Sequence, residues 1–405
     1  MSIGNGLFLH DSWHAVEVML SSDEPFSGFF VQHGPHHLGV TYFLHELAYL
    51  FGAENSHFHA VVQVLILSVS AWFGFELLSK WRGRRSWFDL WLPIVFLNPL
   101  TLLNSATEPY LHSFTVLFGL WVAYLGFGYM KPVRLATLMF ILFLSAFTFN
   151  ANLVLIAAFF FYLIHWLKTR WYTSGIITLW SFFLLVLMYL TTDMSGVEST
   201  AAEGYNLGQW SIYVVRLVTS YFFVNPVRFM LIPGIIAFIL MAYVVAHPWI
   251  RPRKWEHKEY GLWFLIAILL LYWTLNSITR WSLPEGNIYA TRYFVMSPLV
   301  LFVLWVSFNL QRRWKKKMPL LGMVAITWSL YLNSVDYSFR RNRFNEALKI
   351  EEARMKLDVK HSEEVPCYLH GNPAGVQLDW TSRVLFPEFY SNDFGNYEGA
   401  STNEN

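Results

Sequence analysis

The chain has 405 residues, of which 55% are hydrophobic, 19% aromatic and only 14% charged. Soluble domains carry about 25% charged residues; a chain this apolar exposes more hydrophobic surface than its own core can cover, so its natural solvent is a bilayer. The net charge of +2 excludes a nucleic-acid binder, and the single cysteine, Cys367, excludes an internal disulfide framework.

Charge position says more than charge sum. No Lys or Arg precedes Lys80, whereas the first 60 residues hold Asp11, Glu17, Asp23, Glu24, Glu46, Glu54 and eight of the 14 histidines. The start MSIGNGLF lacks the basic residues and apolar core of a cleavable signal. The segment 37–52 is apolar but too short to span, with His45 and Glu46 at its middle, and is expected to lie in the membrane interface.

A bilayer core of ~30 Å takes ~20 mostly apolar helical residues. Windows of that kind fall near 59–79, 88–104, 111–129, 133–149, 151–167, 174–191, 229–247, 260–278, 294–311 and 318–334, about ten spans. Basic clusters follow every second window: Lys80, Arg82, Arg84 and Arg85; Lys131 and Arg134; Lys168 and Arg170; Arg251, Arg253, Lys254 and Lys258; Arg312, Arg313, Lys315, Lys316 and Lys317. The alternate loops carry Glu108, then Asp193, Glu198 and Glu203, then Glu285. The positive-inside rule puts the basic loops in the cytoplasm and both termini outside. Residues 210–227, interrupted by Arg216 and stopped at Asn225-Pro226, read as a second interfacial helix.

The expected organisation is an extracytoplasmic acidic and His-rich segment over 1–57, a transmembrane core over 58–334, and an extracytoplasmic tail over 335–405. The tail begins with a charged amphipathic stretch, turns at Gly371-Asn372-Pro373 and ends in a polar, unstructured composition. The fold class is thus an all-α polytopic membrane protein.

Ionisable residues kept at a membrane mark function more often than packing, and here they gather on the outer side. In HDSWHAVE, Asp11 lies between His10 and His14, with Glu17 six positions on. Asp11 could act as a general base or cap a short helix beginning at Ser12 or Trp13. In FFVQHGPHHLG, Gln32, His33, His36 and His37 surround a Gly-Pro turn. They lack the paired spacing of a zinc site and read better as hydrogen-bonding groups for a headgroup or sugar, or as solvated loop histidines. In NSATEPYLHS, Glu108 and His112 sit in a short loop between windows, as a site acid with its histidine or as a polar loop tip. In SITRWSLPEGNIYATRYFVMSP, Arg280 ends one window and Arg292, followed by Tyr293, begins the next. Both arginines break the positive-inside pattern, and a guanidinium fork suits a phosphate. Arg216 and Arg228 share that status with less context. Asn150 and Asn152, at an outer junction, read as helix caps.

The order of these elements, with HDSWHAVE and FFVQHGPHHLGVTYFL as a first outer loop and ATRYFVMSP opening a late span, resembles the GT-C class of integral membrane glycosyltransferases. The resemblance covers most of residues 8–311 and is architectural. It implies inverting transfer of a sugar from a polyprenyl-phosphate donor to a glycan, lipid or protein acceptor. The active site would lie on the periplasmic face of a bacterial inner membrane. Asp11 would be the base, with Glu17 or Glu108 in that role or orienting the acceptor. Arg292, with Arg280, would face the lipid phosphate. His10, His14, Gln32, His33, His36, His37, His112 and Tyr293 would line the substrate. The resemblance is compatible with a divalent metal, but these residues do not require one. The class carries a span before its acidic loop. This chain starts at the loop, so the resemblance implies either a further upstream span or a base-free tail that crosses unaided. The alternatives are a polysaccharide polymerase or ligase, an acyltransferase of the cell envelope, or a transporter or flippase. A transporter would place ionisable groups near span centres, which here are almost free of charge.

Overall fold

The structure is a computed structural model, and it describes residues 29, 32–33, 36–51, 56–98, 112–126, 130–192, 208, 210–211, 213–214, 257–280, 296–310, 368–369 and 376–377. The histidine-rich segment opens with a small antiparallel ladder, β1 (Gln32–His33) on β2 (His36–His37), with His33 opposite His36 across the expected Gly-Pro step. Helix α1 (Gly39–Leu50) follows, then α2 (Ser56–Arg82). At 1.5 Å per residue α2 is about 40 Å long, more than the bilayer core requires. Its end at Gly83 has a positive φ of 76°, which an L side chain would resist. A 3₁₀ turn (Trp87–Leu90) and α3 (Trp91–Phe96) reverse the chain. Arg82 locks that reversal with two 2.7 Å hydrogen bonds to the carboxylate of the fully buried Asp89.

Helix α4 (Ser113–Leu125) stops at Gly126, and α5 (Pro132–Ala146) begins with proline where the missing N–H costs nothing. Helix α6 (Asn152–Thr169) ends on Arg170 in the left-handed region (φ 58°), whose N–H closes on Trp166 O at 2.7 Å. Helix α7 (Tyr172–Thr191) returns; α8 (His257–Arg280) and α9 (Ser297–Leu310) complete the described bundle. A second two-residue ladder, β3 (Tyr368–Leu369) on β4 (Val376–Gln377), brackets the turn expected at Gly371-Asn372-Pro373.

Among the described residues, four helical stretches are long and apolar enough to cross a membrane: Phe58–Arg82, Asn152–Thr169, Tyr172–Thr191 and Tyr260–Ser277. Ser113–Leu125, Pro132–Ala146 and Pro298–Ser307 are apolar but shorter. The windows 229–247 and 318–334 lie outside the described residues, and of the segment 210–227 only Trp210, Ser211, Tyr213 and Val214 are described, all helical. The described bundle is therefore a helical membrane protein.

The helices pack as neighbours: α2 runs parallel to α4, with Gln63 beside Ser113 at one end and Lys80 beside Tyr124 at the other, α7 folds back on α6, and α8 lies against α4, α6 and α9. This order collects the bases at one pole. There Lys80 Nζ donates to Tyr124 O (2.9 Å), the Tyr162 hydroxyl donates to Gly126 O (2.9 Å), and His165 Nδ1 meets Ser174 Oγ (2.8 Å). The ring of His165 packs edge-on against Trp171 and Tyr260. Outward faces are apolar: Val61, Leu65 and Val69 on α2, Phe160 and Ile164 on α6, and Leu179, Phe182 and Phe183 on α7 are exposed. At about 25 cal/mol per Å², such faces would be costly in water and cost nothing in acyl chains.

Close packing at the basic pole depends on a missing side chain. A Cβ placed on Gly261 would come within 2.6 Å of Trp81 Cζ2. The Gly261→Ala variant is expected to lose about 1–3 kcal/mol of stability, read as a lower thermal midpoint in detergent. Gly83→Ala, which meets nothing within 4 Å, is the control and loses only what the positive φ costs.

Candidate functional site: a buried polar layer opposite the basic pole

Helix α1 is built with its polarity inverted. Thr41, Tyr42, His45 and Glu46 are buried, while Phe43 and Leu50 are exposed. Thr41 and His45, four apart, share one stripe of the helix, and the buried His37 precedes it in β2. A helix on a water-covered surface would do the opposite. The expected interfacial helix thus turns its polar side to the protein, because that is where hydrogen-bonding groups wait for it.

Those groups come from several elements. The His45 ring lies 4.0 Å, centroid to centroid, from that of His59 on α2. One turn deeper, Gln63 Nε2 donates to Ser113 Oγ, the first residue of α4. His59, Gln63 and Ser113 are fully buried. Gln63 Oε1 and Thr41 Oγ1 have no hydrogen-bond partner among the described residues. An unsatisfied buried acceptor costs about 1–3 kcal/mol, which marks this layer as more than packing.

Two anchors fix the layer to the bundle. The hydroxyl of Thr192 donates to Met188 O (2.7 Å), so its oxygen is left to accept from His37 Nε2 (3.3 Å). This joins the segment before α1 to the end of α7. Gly39 is the second anchor, because any Cβ there would collide with the backbone carbonyl oxygens of Phe147 and Phe29. His37 also packs edge-on against the Phe147 ring.

His112 forms the floor. It occupies the N-cap position of α4, is 1% exposed, and lies edge-on to Phe149 and Tyr272. Asn150 Nδ2 donates to its Nδ1 at 3.0 Å, which puts the ring proton on Nε2. Asn150 reaches it from the left-handed region (φ 52°), a conformation asparagine tolerates better than most residues. The residue at the N-cap of α6 is Ala151, so Asn150 serves the histidine and not, as expected, the helix end.

Of the residues singled out by sequence, the structure thus brings His37 and His112 into this layer. Gln32, His33 and His36 are placed only as backbone in the β1–β2 ladder leading to it, and Arg280 as the last residue of α8 at the same pole. His10, Asp11, His14, Glu17, Glu108, Arg292 and Tyr293 lie outside the described residues. The sequence reading did not single out Thr41, His59, Gln63 or Ser113. Their signal was the spacing of four, Thr41-His45 and His59-Gln63, inside otherwise apolar helices. Among the described residues no three His, Cys, Asp or Glu side chains converge to hold a metal ion. The layer offers imidazole, amide, hydroxyl and carboxyl groups that can donate to and accept from hydroxyl groups. No protein-family model, curated protein or solved structure matches the chain.

Replacing Asn150 separates its bond from its backbone. Asn150→Gly keeps the left-handed conformation and loses the bond to His112, for an expected loss of about 1 kcal/mol. Asn150→Ala loses both, for about 2 kcal/mol. Thermal midpoints of the two variants in one detergent give that order.

Proposed function

We propose that this chain is an integral membrane glycosyltransferase of GT-C type, with about ten spans. It would transfer a sugar from a polyprenyl-phosphate donor to an acceptor hydroxyl at the pole opposite its basic loops. The observation that supports this reading is the buried polar layer of His37, Thr41, His45, Glu46, His59, Gln63 and Ser113 at that pole, in a bundle otherwise apolar. Polar groups held inside a membrane protein at a cost need a polar ligand to justify them. A sugar, rich in hydroxyls, matches these donors and acceptors.

In the proposed reaction the acceptor hydroxyl attacks the anomeric carbon from the face opposite the phosphate. The new carbon–oxygen bond forms as the bond to the phosphate oxygen breaks, and the configuration inverts. Asp11 takes the hydroxyl proton, and Glu17 and Glu108 orient the acceptor. The polyprenyl phosphate leaves with the bonding electrons, its developing charge offset by Arg292 and Arg280. His10, His14 and Tyr293 complete the lining. The base-poor first segment fits this face, because it would reach the outer side without carrying cations through the bilayer.

The test uses membranes containing the full chain and radiolabelled polyprenyl-phosphate sugars. Asp11→Asn is expected to lower transfer about 100-fold or more at unchanged protein level; wild-type transfer would overturn the base assignment. Arg292→Ala is expected to raise the KM for the lipid donor and leave that for the acceptor unchanged. Cysteines placed at Ser105 and Ser199 should be labelled by an impermeant reagent from outside, and labelling only after permeabilisation would reverse the orientation.

A further inference from the structure

The basic pole contains an unbalanced corner. Asp89 is committed to Arg82, and Glu76 to Arg85 at 2.9 Å. In the corner between α2 and the start of α5 lie Lys80, Lys131 and Arg134, all exposed and none in an ion pair among the described residues. Lys80 is held at the end of α4 by Tyr124 O and lies over the Tyr124 ring, 5.4 Å from its centroid. Arg134 is close enough to repel it. Lys131 is the N-cap of α5 and Arg134 lies in its first turn. They flank the first turn of a helix that carries no acid there, where the backbone dipole already repels cations. Like charges thus face each other and the helix end, an arrangement that an anion would relieve.

The surface below the cations is apolar and aromatic. On α2, Leu65, Val69 and Trp72 are exposed along the face that leads to Lys80. On α5, Val133 and Phe140 are exposed beside Arg134. Both helices pack on α4, whose half-buried Trp121 and Tyr124 lie between them and contact Phe73 at 5.2 and 5.5 Å. Three cations at the water edge above an apolar, aromatic wall match a molecule with a phosphate head and acyl chains.

We propose that this corner is a binding site for one anionic phospholipid of the leaflet on the basic side. Lys80, Lys131 and Arg134 hold its phosphate, and its chains lie on the wall formed by α2, α4 and α5. The site is separate from the polar layer at the other pole and does not depend on the proposed activity. Fixed cations near a membrane contribute about fivefold each to attraction of anionic lipid, so removing two is expected to weaken retention about 25-fold.

The full chain, reconstituted in nanodiscs of phosphatidylcholine with one-fifth phosphatidylglycerol, is released and its retained lipids counted by native mass spectrometry. The expected result is one tightly retained phosphatidylglycerol, lost in Lys80→Gln/Arg134→Gln and restored in the charge-keeping Lys80→Arg/Arg134→Lys. Arg84→Gln, on the turn after α2 at the same pole, should retain it. Equal retention of phosphatidylcholine, retention unchanged in the double glutamine variant, or the same loss in Arg84→Gln would overturn the proposal, the last by showing a diffuse field in place of a site. Inorganic phosphate alone should not raise the thermal midpoint; a rise that Lys80→Gln/Arg134→Gln abolishes would make the site one for free phosphate and overturn the lipid assignment. The monodisperse elution and thermal midpoint of each variant show that it is folded.

Discussion

The constraint on which the structure depends is the absence of water around its waist. In hydrocarbon a polar group has no solvent to fall back on, so each one must be satisfied within the protein or moved to an end. The bundle follows both courses. Buried serines and threonines along the spans return their hydroxyls to their own helices, as Ser70 does to Ile66 O and Ser145 to Ile141 O. Charged groups are moved to the ends of helices. The inverted polarity of α1 is the same rule applied to a short helix: with lipid outside and hydrogen-bonding groups inside, Phe43 belongs outward and His45 inward.

The two poles solve the problem with different chemistry. The basic pole uses full charges, with a bidentate Arg82–Asp89 pair closing a chain reversal and aromatic rings backing His165. The opposite pole, as far as it is described, uses imidazoles, an amide, hydroxyls and the Glu46 carboxyl. Amides and hydroxyls are far cheaper to bury than isolated ions.

The positions of the described helices were legible in the sequence because mean apolarity over a window suffices to find a buried or lipid-covered helix. Their poles were legible from the alternation of basic loops, which the packing of the helices gathers at one end. The polar layer was legible only in part. His37 and His112 stood out as ionisable groups next to turns, but Gln63 and Ser113 carry no charge and sit in apolar helices. Their significance comes from meeting one another across α2 and α4, a contact between residues 50 positions apart. Asn150 was read as a cap because asparagine at a helix junction usually is one; its pairing with His112, 38 positions away, is a tertiary fact. Nor does hydropathy distinguish a helix that lies with its polar side to water from one that turns it inward, since the composition of α1 is the same in both.

The layer is also mechanically joined to the rest of the bundle. His37 reaches the end of α7 through Thr192, Gly39 seats α1 on the α5–α6 turn at Phe147, and His112 joins α4, that same turn through Asn150, and α8 through Tyr272. The α5–α6 turn is the common element. Its conformation is over-determined, with Asn150 in the left-handed region and Ala151 N–H bonded back to Thr148 O (3.0 Å). A rigid turn beneath a layer of donors and acceptors holds them in place without ordering them anew for each ligand, which lowers the entropic cost of binding. The polar layer is therefore preorganised by the packing of the spans, and α1 gains its fixed position from the bundle on which it is seated.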